Sequence, residues 1–148
     1  ALYGHSPIDH SINSLNLHSA MTVKARVTFL RNVPSGTGVG YGHMFTTKRD
    51  SRLAIIGIGY ADGVNRSLSG KISALFNGNF LPQVGTIAMD QLVLDVTDSP
   101  DIKVGNFVTL LGQDKSESIT PRQWSDLSGS IPWEVLCGFK HRLPRVVI

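Results

Sequence analysis

The segment MTVKARVTFLRNV, residues 21 to 33, alternates apolar and polar side chains. Met21, Val23, Ala25, Val27 and Phe29 share one face, and Thr22, Lys24, Arg26 and Thr28 share the other. A period of two over that length is the mark of a half-buried strand. Its apolar face must be covered by other strands or a second layer, which commits the chain to a sheet-built core. The rest of the sequence continues in kind. RLAIIGIG reads as a buried strand ending at a YADG turn. KISALF and FLPQV flank the Asn-Gly of FNGNF, a pair suited to a tight primed turn, and so predict a hairpin. IAMDQLVLDV reads as one strand, with Leu92, Leu94 and Val96 on a common face and Pro100 beyond its end. NFVTLLG predicts another strand closed by Gly112, and the terminal VVI a last one.

Helical signal is confined to two short pieces. In ITPRQWSDLSG, Thr120 is placed as an N-cap, with Pro121 in the first turn and Gln123 three residues after the cap. Gly129 can end that helix. SIPWEVLCGF predicts another turn or two, with Pro132 near its start. Many short strands and one or two short helices define a mostly β fold, a barrel or a sandwich.

A chain of 148 residues suits one compact domain with a core of its own. The apolar fraction of 41% and charged fraction of 17% separate it from disordered sequences. The net charge is +3, with small clusters at Lys48-Arg49-Asp50-Ser51-Arg52 and at Lys140-His141-Arg142 with Arg145. Neither is interleaved with aromatics as a nucleic-acid surface would be, and both read as solvated faces, so no nucleic-acid partner is expected. The one cysteine, Cys137, forbids an internal disulfide and a thiolate zinc site. It sits on an apolar helical face and reads as core. A reducing, cytoplasmic setting is expected, with no metal. No apolar run approaches the roughly 20 residues of a membrane helix. The chain opens in ALYGHSP rather than Met, as an excised domain would, and HSPIDHSINSLNLHSA reads as a linker or extended lead-in.

The chemistry lies in two similar stretches, GVGYGHMF at residues 38 to 45 and IGIGYADGVNR around Tyr60. Each sets a tyrosine on a glycine-softened loop, and loops on a rigid scaffold are where sites are built. Aromatics near strand ends also serve as plugs of barrel mouths, and spacing alone does not separate the two roles. GTGVGYG fails the dinucleotide fingerprint, since no βαβ unit follows. Asp62 reads as part of an Asp-Gly turn. Asp90 inside an apolar strand needs a partner. His43 and His141, with no visible partner, read as surface or structural residues.

Taken in order, LYGHSP, YGHMF, GYADGVNR, VGTIAMDQLVLDVTD, ITPRQW and IPWEVLCGFKHRLPRV resemble the carboxy-terminal β domain of bacterial alanine racemases. The match spans nearly the whole chain. The resemblance implies a small Greek-key-like β barrel over residues 21–148, with residues 1–20 as the residual end of a preceding α/β barrel and its linker. It implies a homodimeric enzyme that interconverts L- and D-alanine with pyridoxal phosphate, held mainly by the preceding domain, whose lysine is one acid/base group. Tyr41 matches the tyrosine that acts as the other, reaching into the partner subunit's barrel mouth. An ordinary phenol titrates at about 10, so nearby positive charge must assist a tyrosine base at neutral pH. In the family that help comes from barrel residues. Tyr60 matches a tyrosine at the narrow mouth of the site. Met89 matches the residue whose backbone N–H binds the substrate carboxylate, and Asp90 belongs beside it.

Two positions depart from the common pattern. Trp133 stands where many relatives carry a tyrosine that touches the cofactor phosphate, and an indole N–H only donates. It lines the site or only packs. Thr86 stands where many relatives have arginine. A racemase for serine or another small amino acid, and a β-barrel interaction module without chemistry of its own, are the alternative functions. The isolated chain, lacking the cofactor lysine, is expected to be inactive.

Overall fold

The computed structural model describes residue 4 and residues 19–147. Their strands are β1 (Val23–Val33), β2 (Gly38–Val39), β3 (Phe45–Thr46), β4 (Ser51–Ile56), β5 (Ser73–Phe76), β6 (Asn79–Val84), β7 (Leu92–Asp95), β8 (Phe107–Asp114) and β9 (Glu117–Ile119). Two α-helices follow, α1 (Pro121–Ser128) and α2 (Pro132–Gly138). The fold is mostly β, as the alternation requires.

The main sheet is antiparallel and its pairings return on themselves. β1 pairs with β4, β4 with β7, β7 with β6, β6 with β5, β5 with β8, and β8 again with β1. β9 hangs on β8. The run β4-β7-β6-β5 is a Greek key: three consecutive strands with a fourth laid beside the far one. The hairpin turn has positive φ at both Asn77 and Gly78, as an Asn-Gly primed turn requires.

β1 serves two neighbours because it bends. Val23 to Arg26 face β8, and from Val27 the strand faces β4, with a shift of register between Val27 and Phe29. Val23, Ala25 and Val27 are buried as the alternation predicts. One extra residue then inverts the phase. Phe29, predicted on the core face, is therefore exposed, and Leu30 packs against the core in its place. The interior is filled by Ile56, Leu75, Leu92, Leu94, Leu110 and Trp124, none more than 1% exposed. Each aliphatic side chain so buried contributes about 1.5–3 kcal/mol. A second small cluster of Val33, Val39, Leu53 and Val84 underpins the loop that carries Tyr41.

α1 has the predicted cap: Gln123 N–H donates to Thr120 Oγ1, Thr120 N–H donates to Gln123 Oε1, and Gly129 is left-handed. α2 buries Pro132, Val135 and Leu136. Cys137 is exposed on it rather than in the core, because the inward face of so short a helix is already filled.

Other expectations are corrected. β7 starts at Leu92, since the carbonyls of Ala88 and Met89 bond to the loop at Tyr60 rather than to a strand. Asp90 consequently lies in a turn. β8 runs through Gly112, whose lack of a Cβ lets Thr22 approach closely, and continues to Asp114. Lys115, with positive φ, reverses the chain into β9, which the sequence did not announce. Val146 and Val147 form no strand and are exposed. The lead-in predicted over residues 5–20 falls outside the described residues except at its end, where Ser19 and Ala20 are exposed coil.

Candidate active site

Both glycine–tyrosine stretches form single turns of 3-10 helix, at Tyr41–His43 and Tyr60–Asp62. At the first, Gly40 and Gly42 take φ of 74 and 71, values that strain any residue with a Cβ. Gly40 also abuts Thr86, where an added Cβ would come within 2.9 Å of the backbone nitrogen, and Gly85 abuts Val39 in the same way. Two glycines on facing loops thus let the Tyr41 loop lie directly on residues 85–86. Thr86 Oγ1 donates to the Tyr41 carbonyl at 3.1 Å. The Tyr41 side chain is 75% exposed. It borders an open depression of about 680 Å³, with Met44, Arg66, Ser69 and Thr86 among its walls.

The Tyr60 turn is built differently. Asp62 is buried, and its Oδ2 accepts from the Gly59 N–H at 2.9 Å. Tyr60 N–H donates to the Ala88 carbonyl and Ala61 N–H to the Met89 carbonyl, both at 3.0 Å. Gly59 is pressed so closely on this neighbour that a Cβ would sit 2.3 Å from the Ala88 oxygen. Sequence reasoning placed Tyr60, Met89 and Asp90 in one site, and the fold brings these three together. Tyr60 is 42% exposed and Met89 53%. Tyr60 lines a cavity of about 380 Å³ with Trp124, Ser130, Glu134 and Lys140. Arg66 lines both this cavity and the Tyr41 depression. Trp133 stands on α2 beside Glu134 and is 37% exposed.

The basic C-terminal cluster is not merely a solvated face. Arg142 Nε lies 3.3 Å from Asp62 Oδ1, and Arg142 Nη2 donates to Asp90 Oδ1. The hydrogen bond to Asp90, and then the charge of Asp62, raise the guanidinium above its ordinary pKa. Asp62 and Arg142 are the residues that sequence reasoning missed. The signal was the acid read inside a strand: Asp90 was expected to need a partner, and although it lies exposed in a turn, the cation that meets it stands fifty-two positions away in sequence. Among the described residues, no group of three His, Cys, Asp or Glu converges as a metal centre would require, and no helix is long and apolar enough to cross a membrane.

Residues 20–147 match the family model described as the alanine racemase C-terminal domain. The chain belongs to that family. An alanine racemase of Prochlorococcus marinus is 62% identical over 148 residues, all of this chain and 38% of the relative. One from a Nostoc species is 49% identical over 146 residues, 99% of this chain and 38% of the relative. Among solved structures, alanine racemase from Bacillus anthracis with bound L-Ala-P superposes with a TM-score of 0.93 at 32% identity, over 100% of this chain and 38% of that one. The enzyme from Bartonella henselae with covalently bound pyridoxal phosphate gives 0.89 at 38% identity, over 100% and 40%. The chain thus spans about two fifths of the length of the relatives it matches.

Proposed function

We propose that this chain is the β-domain half of an alanine racemase and that Tyr41 is its catalytic residue. The observation that carries the proposal is the exposed phenol on a turn that two left-handed glycines permit, opening on a depression walled by Arg66. Racemisation removes a proton from one face of the α-carbon and returns one to the other, so it needs an acid/base group on each side. The Tyr41 hydroxyl takes one side and exchanges the proton at its oxygen. A partner subunit, in a homodimer, presents the substrate to it. Met89 offers its backbone N–H to the alanine carboxylate, with Asp90 beside it. Tyr60 and Trp133 narrow the approach, which favours a side chain as small as a methyl group.

Pyridoxal phosphate, when bound, supplies the electron sink that makes the α-proton labile. The groups here suit one wall of such a site and not a whole one. The Tyr41 depression presents a hydroxyl, Arg66 and Ser69, and no lysine lines it. On this view the cofactor and the second acid/base group belong to a preceding barrel domain, of which residues 1–20 are the end, with residues 21–148 as the β domain. The chain alone should not racemise alanine.

The test is Tyr41→Phe in the full-length, cofactor-loaded protein. Racemisation should fall by at least about 100-fold, the scale of a lost general base or acid. Exchange of the α-proton with solvent should suffer more from one enantiomer than from the other. The melting temperature should hold, since no buried group is orphaned. A variant that keeps wild-type turnover removes Tyr41 from the chemistry.

A further inference from the structure

We propose that Arg142 is a positioning residue: it clamps the turn bearing Met89 and Asp90 onto the turn bearing Tyr60, and so fixes where the Met89 N–H meets a carboxylate. The inference rests on the placement of Met89 at the substrate. A lone surface ion pair would carry little weight. This one differs in three respects. The guanidinium bridges two carboxylates, Asp62 and Asp90, which belong to the two turns in question. Asp62 is buried, its side chain 8% exposed, and its second oxygen already holds the Gly59 N–H. The segment that delivers Arg142 is itself tied down, since Arg145 Nη2 donates to the Phe139 carbonyl at 3.1 Å and Gly63 packs on Gly138.

The electrostatics give the clamp a direction. Two carboxylates within reach of one guanidinium are close enough to repel each other once it is gone. The Asp90 turn is the more exposed of the two and would move outward, carrying Met89 with it. The bonds from Tyr60 N–H to Ala88 and from Ala61 N–H to Met89 would lengthen first, because they cross the same seam. Lysine cannot replace the bridge fully, since an ammonium is a point charge without the planar fork that meets two acceptors at once.

The experiment uses the full-length, cofactor-loaded protein and two readouts: kinetic constants for alanine, and the dissociation constant of propionate, which keeps the carboxylate and lacks the amino group. Arg142→Met should raise KM and the propionate constant by about tenfold while kcat stays within about threefold, the pattern of a lost ground-state contact. Arg142→Lys should recover part of both. If Arg142→Met folds poorly, Asp62→Asn with Arg142→Met removes the stranded buried charge and the repulsion and should restore folding, but it leaves the Asp90 turn untied, so propionate binding should recover only in part. Wild-type propionate affinity in a folded Arg142→Met or double variant overturns the clamp alone. A wild-type protein that does not bind propionate overturns the placement of Met89, and the clamp with it.

Discussion

The turn at Tyr41 buries none of its three residues and receives one side-chain hydrogen bond, from Thr86. The turn at Tyr60 buries Asp62, sends two backbone N–H groups to residues 88 and 89, and is bridged by Arg142 to Asp90. In sequence the two are near twins, each a tyrosine after glycine. The difference shows how one motif serves two ends. A phenol that must meet a reacting atom on another subunit needs exposure and a turn with few commitments of its own. A loop that sets the position of a substrate group needs commitments on every side. Low local stability belongs to the first role and high local stability to the second.

Substituting the glycines tests that contrast most sharply. At Gly59 the backbone angles are ordinary for any residue, and the obstacle is space: a Cβ would lie 2.3 Å from the Ala88 oxygen and 2.4 Å from the Met89 oxygen. Both are backbone atoms that no rotamer can move aside. Gly59→Ala should therefore cost about 3 kcal/mol through forced backbone displacement. For a domain of this size that lowers the melting temperature by about 10 °C, which thermal denaturation reads directly. A loss below about 0.5 kcal/mol would mean that the 88–90 turn yields freely, and the two turns would not differ in the way claimed.

Gly42→Ala asks the opposite question. Its φ of 71 is left-handed, but an added Cβ meets nothing nearer than Met44 Cγ at 3.9 Å. Only the conformational penalty applies, about 1–2 kcal/mol. Thermal denaturation of this variant beside Gly59→Ala should rank them clearly, with Gly42→Ala the milder. Equal losses would show that the Tyr41 loop is packed as tightly as its twin.

Much of this was legible in the residues. The alternation in β1, the Asn-Gly hairpin, the capping box of α1 and the common face of Leu92 and Leu94 each follow from local chemistry, and each is found. What failed was non-local. The bulge that turns Phe29 outward exists because β1 has to pair with both β4 and β8. Residues 87–91 read as strand because apolar Ala88 and Met89 lead into one. Their carbonyls instead serve the Tyr60 turn, a partner that no window of the sequence reveals. The candidate site divides likewise. Tyr41, Tyr60, Met89 and Asp90 were singled out by motif, whereas Asp62 and Arg142 acquire meaning only when folding brings distant turns together. Asp62 resembled a plain turn residue and Arg142 a surface charge, until each is seen to hold the other.

The smallest expected effect concerns Thr86, and it probes the lightly held turn at its one side-chain tie. Thr86→Val keeps the shape and the β-branch and deletes the hydroxyl that donates to the Tyr41 carbonyl. The bond is exposed, so water replaces the lost donor and the cost should be about 0.5 kcal/mol, the low end for a single hydrogen bond. The melting temperature should barely move. The turn itself should loosen, because Thr86 is the one outside side chain bonded to it among the described residues. Amide hydrogen exchange at residues 41–43 should therefore accelerate, while exchange at residues 60–62, tied by Asp62 and Arg142, stays at its wild-type rate. If exchange quickens equally at both turns, they are one mechanical unit joined through Arg66 and the loop at residues 85–89. If it quickens at neither, the glycine-to-backbone packing of Gly40 and Gly85 already holds the Tyr41 turn, and the phenol is more firmly placed than its exposure suggests.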